Sequence, residues 1–106
     1  GLHHNGKQFY RYIYSEEENC FVGEASYRYD EGHGEYIVNI IIEYKHRGKG
    51  YGREGLLLLM DAAKANGVAK LCDDIAADNP SIALFKKMGF SEEWRNDDAV
   101  MMAKTL

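Results

Sequence analysis

The chain of 106 residues has one proline, one tryptophan and two cysteines, and no unbroken apolar stretch longer than residues 56–60. Each shortage excludes something. Cys20 and Cys72 make no CxxC pair and no Cys/His ligand spacing, which argues against a disulfide scaffold and a structural zinc site and for reduced thiols in a cytoplasmic protein. A bilayer-crossing helix needs ~20 apolar residues, and no basic-then-apolar leader opens the chain, so no membrane partner is expected. Surplus positive charge is also missing. A net charge of −4 and a pI near 5.5 argue against general nucleic-acid binding, which needs a basic face. The adjacent His3 and His4 are too few ligands for a metal site, and none is expected. With 45% hydrophobic residues, the length suits one domain over residues 1–106.

What is present falls into clear segments. Residues 8–14, 20–29 and 35–42 alternate and are rich in aromatic and β-branched types, the pattern of three antiparallel strands. Ser15-Glu16-Glu17-Glu18-Asn19 and Asp30-Glu31-Gly32-His33-Gly34 supply the turns. Ile40-Ile41-Ile42 loses the alternation, which predicts a central strand covered on both faces. Residues 50–66 are helical in pattern, with Leu56, Leu57, Leu58, Leu59, Met60, Ala62 and Ala63 on a broad apolar face and Asn66-Gly67 as the stop. Residues 68–75 read as a buried strand parallel to the third. A second helix starts at Asn79 as cap with Pro80 in the first position and runs to Gly89. Residues 90–95 and 99–104 form a closing hairpin. The expected fold is α/β with a mixed sheet, in the order β-β-β-α-β-α-β-β.

Chemistry is concentrated where the third strand gives way to the first helix. A glycine loop that opens a helix presents unsatisfied backbone N–H groups, and the helix dipole adds roughly half a positive charge. Gly48, Gly50 and Gly52 permit close approach to the backbone, and Arg47, Lys49 and Arg53 add local positive charge. Gly50-Tyr51-Gly52-Arg53-Glu54-Gly55 matches GxGxxG, with Asp73 about twenty residues on, as in dinucleotide folds. The charged residues 43–49 between strand and glycines, and the meander ahead of them, speak against that reading. The Walker pattern fails because no GK[ST] follows.

Arg47-Gly48-Lys49-Gly50-Tyr51-Gly52 fits [Q/R]-x-x-G-x-[G/A] between an apolar strand and a long helix. Asn79-Pro80-Ser81-Ile82-Ala83-Leu84-Phe85-Lys86-Lys87-Met88-Gly89-Phe90 looks like the second conserved block of the same family. With the closing hairpin, residues 8–106 resemble the GNAT superfamily of acetyl-CoA-dependent N-acyltransferases. The resemblance implies an acetyltransferase with acetyl-CoA as co-substrate and no metal. It places the pyrophosphate on the amides of Arg47, Gly48, Lys49, Gly50, Tyr51 and Gly52, and the pantetheine arm along the backbone of Ile41 and Ile42. Asn79 would bond that arm as well as cap its helix. Many members carry a tyrosine where Phe85 stands, as the acid that reprotonates the leaving thiolate; Phe85 has no proton to give and would pack against the cofactor or core.

The implied acceptor is a primary amine of a small molecule, peptide or protein, whose ammonium must lose a proton before it attacks. Glu43, at the end of the third strand, is the first candidate base; Glu35 and Glu24 are others. His33 and His46 lie in loops, where histidines are ordinarily exposed, and could relay protons. Cys20 and Cys72 carry no activation cue and read as core residues, so direct transfer without a covalent enzyme intermediate is implied. The family's opening strand and two helices have no counterpart before the meander. A minimal version, a fragment and a homodimer that completes itself all fit that. A coenzyme A-binding module without turnover is the reading from a different class, supported by Phe85 and the short N-terminal side.

Overall fold

The computed structural model describes residues 7–106; His3 and His4 lie outside them. The meander forms as β1 Gln8–Ser15, β2 Cys20–Asp30 and β3 Glu35–Ile42, followed by a 3-10 turn Tyr44–His46, α1 Tyr51–Ala65, β4 Lys70–Ala76, α2 Ser81–Lys87, β5 Ser91–Arg95 and β6 Ala99–Thr105. One six-stranded sheet results, in the order β1-β2-β3-β4-β6-β5. It is antiparallel except for the parallel β3–β4 pair.

Local chemistry explains the corners. At the β2–β3 turn, Asp30 accepts the Gly32 N–H on its side chain at 2.8 Å and the Gly34 N–H on its carbonyl at 2.7 Å, an Asx turn closed by a glycine with positive φ. In α1, the buried residues Tyr51, Gly55, Leu56, Leu59 and Ala63 recur at helical spacing and lie on the sheet. A Cβ on Gly55 would stand 2.9 Å from Ile13 Cδ1, so the bare glycine lets helix and sheet close up. The expected apolar face is narrower than the leucine run: Leu58 is exposed, because a period of 3.6 cannot turn four consecutive side chains the same way. For α2, Asn79 Oδ1 accepts the Ser81 N–H at 2.8 Å, which caps the helix around Pro80 as the sequence suggests.

Both helices cover the same face of the sheet. Leu56 and Leu59 of α1 and Phe85 of α2 join Ile13, Val22, Val38, Leu71, Ile75, Val100 and Met102 in one buried cluster. The opposite face has only a small cluster of Cys72, Met101 and Ala103 with Ile37 against it, and beyond that cluster Tyr10, Tyr12, Tyr14, Phe21, Ile41 and Trp94 are exposed. The expectation for β3 is therefore half corrected: the strand is central, but it is not covered on both sides, and Ile41 is 47% exposed. Among the described residues no helix packs there.

Candidate functional site

β2 and β3 pair along eight consecutive positions from Gly23↔Ile42 to Asp30↔Glu35, whereas β3 and β4 pair only at Tyr36↔Leu71 and Ile37↔Cys72. Beyond those two pairs the parallel strands part. The gap opens into a cleft of about 900 Å³. Residues 39–42 form one wall and residues 73–76 the other, with the glycine loop and the start of α2 above. The far edge of β4 remains paired to β6 over its whole length, so the parted edges facing the cleft are backbone with donors and acceptors to offer.

The loop leaves its backbone uncovered. Gly48 and Gly50 hold φ of 79° and 90°, conformations that disfavour any other residue, and a Cβ at either would meet nothing within 4 Å. Glu54 N–H bonds Gly50 O at 3.2 Å, while among the described residues the N–H groups of Tyr51, Gly52 and Arg53 meet no acceptor from the chain. Three open donors at the positive end of a four-turn helix fit a phosphate group. Arg47 and Arg53 line the same space, and Arg47 is pinned to the end of β3 by its Nε, which donates to Ile42 O at 3.0 Å.

Of the residues singled out from the sequence, Ile41, Ile42, Arg47, Gly48, Gly50, Tyr51, Gly52, Asn79 and Phe85 line this cleft. Lys49 does not. Its ammonium is held by Glu18 Oε1 at 2.9 Å. The Tyr51 side chain also turns inward, only 7% exposed, and donates its hydroxyl proton to Glu18 Oε2 at 2.5 Å. Ser15 Oγ is 2.8 Å from that hydroxyl and accepts the Glu18 N–H at 3.0 Å. His46, expected to stand exposed in its loop, is instead 5% exposed, with Nδ1 3.2 Å from Glu18 Oε1 and Nε2 3.8 Å from Cys20 Sγ. Glu18 is thus the knot that ties the loop to the β1–β2 turn. The Tyr51 hydroxyl, then Lys49, hold its carboxyl well below the usual range, at about 2. Nothing in the run Glu16-Glu17-Glu18 marks which carboxylate makes this contact; only the tertiary fold selects it.

Two acidic residues reach the cleft from β4. Asp73 alternates with Leu71 and Ile75 on the helix-covered face, and burial, then the neighbouring Asp74 charge, push its carboxyl up to about 7. The sequence offers Asp73 only as part of the disfavoured dinucleotide pattern, although an aspartate in register with core residues is itself a signal. Asp74 lies 3.9 Å from His33 Nε2, and His33 Nδ1 lies 2.9 Å from Asp30 Oδ2; the Asp30 hydrogen bond raises the His33 pKa. Phe85 is buried edge-on to Phe90, ring centroids 5.0 Å apart, and contributes only apolar wall.

Glu43 lies outside the cleft. It lines a second hollow of about 410 Å³ on the open face with Tyr12, Phe21, Gly23, Glu24 and Ile41. Ile41 lines both spaces. Glu35 stands at the start of β3, beside Cys72 Sγ at 3.1 Å and Lys70 at 3.4 Å, and lines neither. Burial pushes the Cys72 thiol up to about 12, so it keeps its proton. Among the described residues no group of three His, Cys, Asp or Glu side chains is placed to hold a metal, and no helix is long and apolar enough to cross a membrane.

Residues 2–90 match the Acetyltransferase (GNAT) family. The chain belongs to that family. It is 31% identical over 86 residues to the uncharacterized N-acetyltransferase YobR of Bacillus subtilis, a match covering 80% of this chain and 33% of that protein. The chain therefore spans about a third of the curated relative's length. A ribosomal-protein-alanine N-acetyltransferase from Brucella melitensis superposes with a TM-score of 0.75 at 32% identity, over 88% of this chain and 67% of that one. The PaiA N-acetyltransferase from Thermoplasma acidophilum, solved in complex with coenzyme A, has a TM-score of 0.79 at 14% identity, over 94% and 62%, a likeness of fold. The six-stranded mixed sheet with its two helices matches the fold of these acetyltransferases.

Proposed function

We propose that this GNAT chain transfers the acetyl group of acetyl-CoA to a primary amine by direct attack in a ternary complex. One observation carries the reading: β3 and β4 part directly beneath the open N–H groups of α1, so one continuous cleft offers phosphate donors at one end and strand-edge amides along its length. The loop amides with Arg47 and Arg53 hold the pyrophosphate. The edge at Ile41 and Ile42 bonds the amides of the pantetheine arm, as an added strand would. Asn79 spends Oδ1 on its helix cap and keeps Nδ2 as a donor to the arm. Phe85 packs as wall.

The proton balance is simple. The acceptor ammonium gives one proton to a base, its nitrogen lone pair forms the C–N bond to the acetyl carbon, the C–S bond breaks, and the nitrogen's second proton neutralises the departing thiolate through a donor. In this reading Glu43 takes the first proton, from a hollow that shares Ile41 with the cleft. Asp73 suits the second: a carboxyl at about 7 is still partly protonated at neutral pH, which supplies the proton that Phe85 cannot.

The test is thiol release from acetyl-CoA with and without a panel of amines, with mass spectrometry of the products. Amine-dependent thiol release and one acetyl group on the amine are expected. Coenzyme A binding without any amine-dependent release contradicts the transfer and supports the binding module that Phe85 suggests.

A further inference from the structure

The β1–β2 turn and the 3-10 turn bring together Glu18, Cys20 and His46, the last of which also lines the cleft. Cys20 opens β2 and is partly exposed. Its Sγ lies 3.8 Å from His46 Nε2, and Nδ1 of the same ring lies 3.2 Å from Glu18 Oε1. Tyr51 and Lys49 keep Glu18 a carboxylate, which only accepts, so His46 donates from Nδ1 and leaves Nε2 to accept from the thiol. Among the described residues Nε2 meets no other partner, in a ring only 5% exposed. A thiol, an imidazole base and a carboxylate that orients the base are the set that turns a thiol into a nucleophile. Cys72 is the contrast: it is wholly buried, and its Sγ–H donates to Glu35 instead.

We propose that Cys20 is a thiol–disulfide exchange site for a small soluble disulfide, with His46 as its base and Glu18 positioning that base, and that the mixed disulfide loosens the glycine loop. The Cys20 proton passes to His46 Nε2, and the sulfur's electron pair forms a bond to one sulfur of the small disulfide. That disulfide's own S–S bond breaks, and the departing thiolate takes the proton back from the imidazolium. Cys20 is oxidised, and half of the small disulfide leaves reduced, as a thiol. After exchange Sγ has no proton to donate. Nε2, buried and without a donor, is satisfied only by moving toward water. His46 then gives up its contact with Glu18 and its edge-on packing against Tyr51, ring centroids 6.3 Å apart, which are ties between the loop and the β1–β2 turn. The consequence for coenzyme A rests on the acetyl-transfer reading of the loop; the exchange itself does not.

The experiment treats the reduced protein with dithiodipyridine, a neutral disulfide, at neutral pH, and assigns the modified cysteine by peptide mass spectrometry. Cys20 in the folded chain is expected to react roughly tenfold faster than Cys20 in the urea-unfolded chain, although burial alone would slow it, while folded Cys72 stays unmodified. His46→Ala is expected to abolish that advantage, and free imidazole to restore part of it. A folded Cys20 that reacts no faster than the unfolded one overturns the exchange site, and that comparison needs no variant. A folded His46→Ala protein as reactive as the parent, or one that imidazole does not rescue, overturns the role of His46. Calorimetry then compares coenzyme A binding before and after modification, with roughly tenfold weaker binding expected in the mixed disulfide and recovery on reduction with dithiothreitol. Equal affinity in the two forms overturns the link to the loop. A reduced protein that binds no coenzyme A overturns the reading of the loop and that link with it, and leaves the exchange rates to decide the site.

Discussion

Both faces of the sheet carry large side chains and use them differently. On one face Phe9, Ile13, Val22, Tyr27, Leu56, Leu59 and Leu71 are buried together; on the other Tyr12 is 64% and Phe21 58% exposed. The covered face takes its aromatics for stability. On the open face Tyr12 and Phe21 line a hollow together with the carboxylates of Glu24 and Glu43. The basic side chains Arg47 and Arg53 stand in the cleft, together with Asp73 and Asp74, whereas the hollow has Glu24 and Glu43 and no basic residue in its lining.

Substitutions should separate the faces sharply. Gly23→Ala is expected to have the largest effect, since its Cβ would meet Ile41 O at 2.2 Å, a backbone atom that cannot yield without parting β2 from β3. A loss of about 3 kcal/mol or more in urea melts checks it. Leu59→Ala on the covered face should lose roughly 2–5 kcal/mol. Phe21→Ala on the open face should change stability by less than about 1 kcal/mol while raising the KM for the amine; equal destabilisation by Leu59→Ala and Phe21→Ala contradicts the division.

Asp73 sharpens the comparison through pH. Its folded pKa lies above the unfolded value, so the folded state binds the proton more tightly and stability falls as pH rises from about 4 to 7. Asp73→Asn should flatten that fall, by roughly 2–4 kcal/mol at pH 8, and should slow acetyl transfer at neutral pH. Chemical melts from pH 4 to 8 measure the first effect and single-turnover rates the second. The Glu18 knot gives a smaller effect: Glu18→Gln removes the charge that occupies Lys49 and aligns Tyr51, and is expected to loosen the loop and weaken coenzyme A binding roughly tenfold with little change in the amine KM. Two opposed consequences set the sign, a freed lysine that can reach phosphate and a loop that is no longer held; stronger binding shows that the freed charge wins.

Element order, the central place of β3 and the glycine loop between strand and helix are legible in the sequence because each rests on local signals: alternation, turn residues and glycines at a strand-to-helix junction. The open face of β3 is not, because Ile40-Ile41-Ile42 reads the same whether a helix covers one side or two. Local charge assigns Lys49 to phosphate, and only the fold brings Glu18 to it across the β1–β2 turn. His46 looks like an exposed loop histidine for the same reason; its partners Glu18 and Cys20 lie far back in the chain. Asp73 is visible as a charge in a buried register, and the dinucleotide pattern, which claims the same residue, masks its weight.

The central claim is that the parted strands and the glycine loop form a coenzyme A site, and calorimetric titration of the chain with coenzyme A tests it most directly, alongside NAD and a Gly52→Leu variant. A Cβ at Gly52 would have only Leu84 Cδ2 near it, at 3.5 Å, so a larger side chain there obstructs the phosphate approach while the fold persists in a melt. Saturable one-to-one binding of coenzyme A, none of NAD, and loss of binding in the variant is the expected result. A folded protein that gives no heat with coenzyme A, or binds it equally well with leucine at position 52, contradicts the claim.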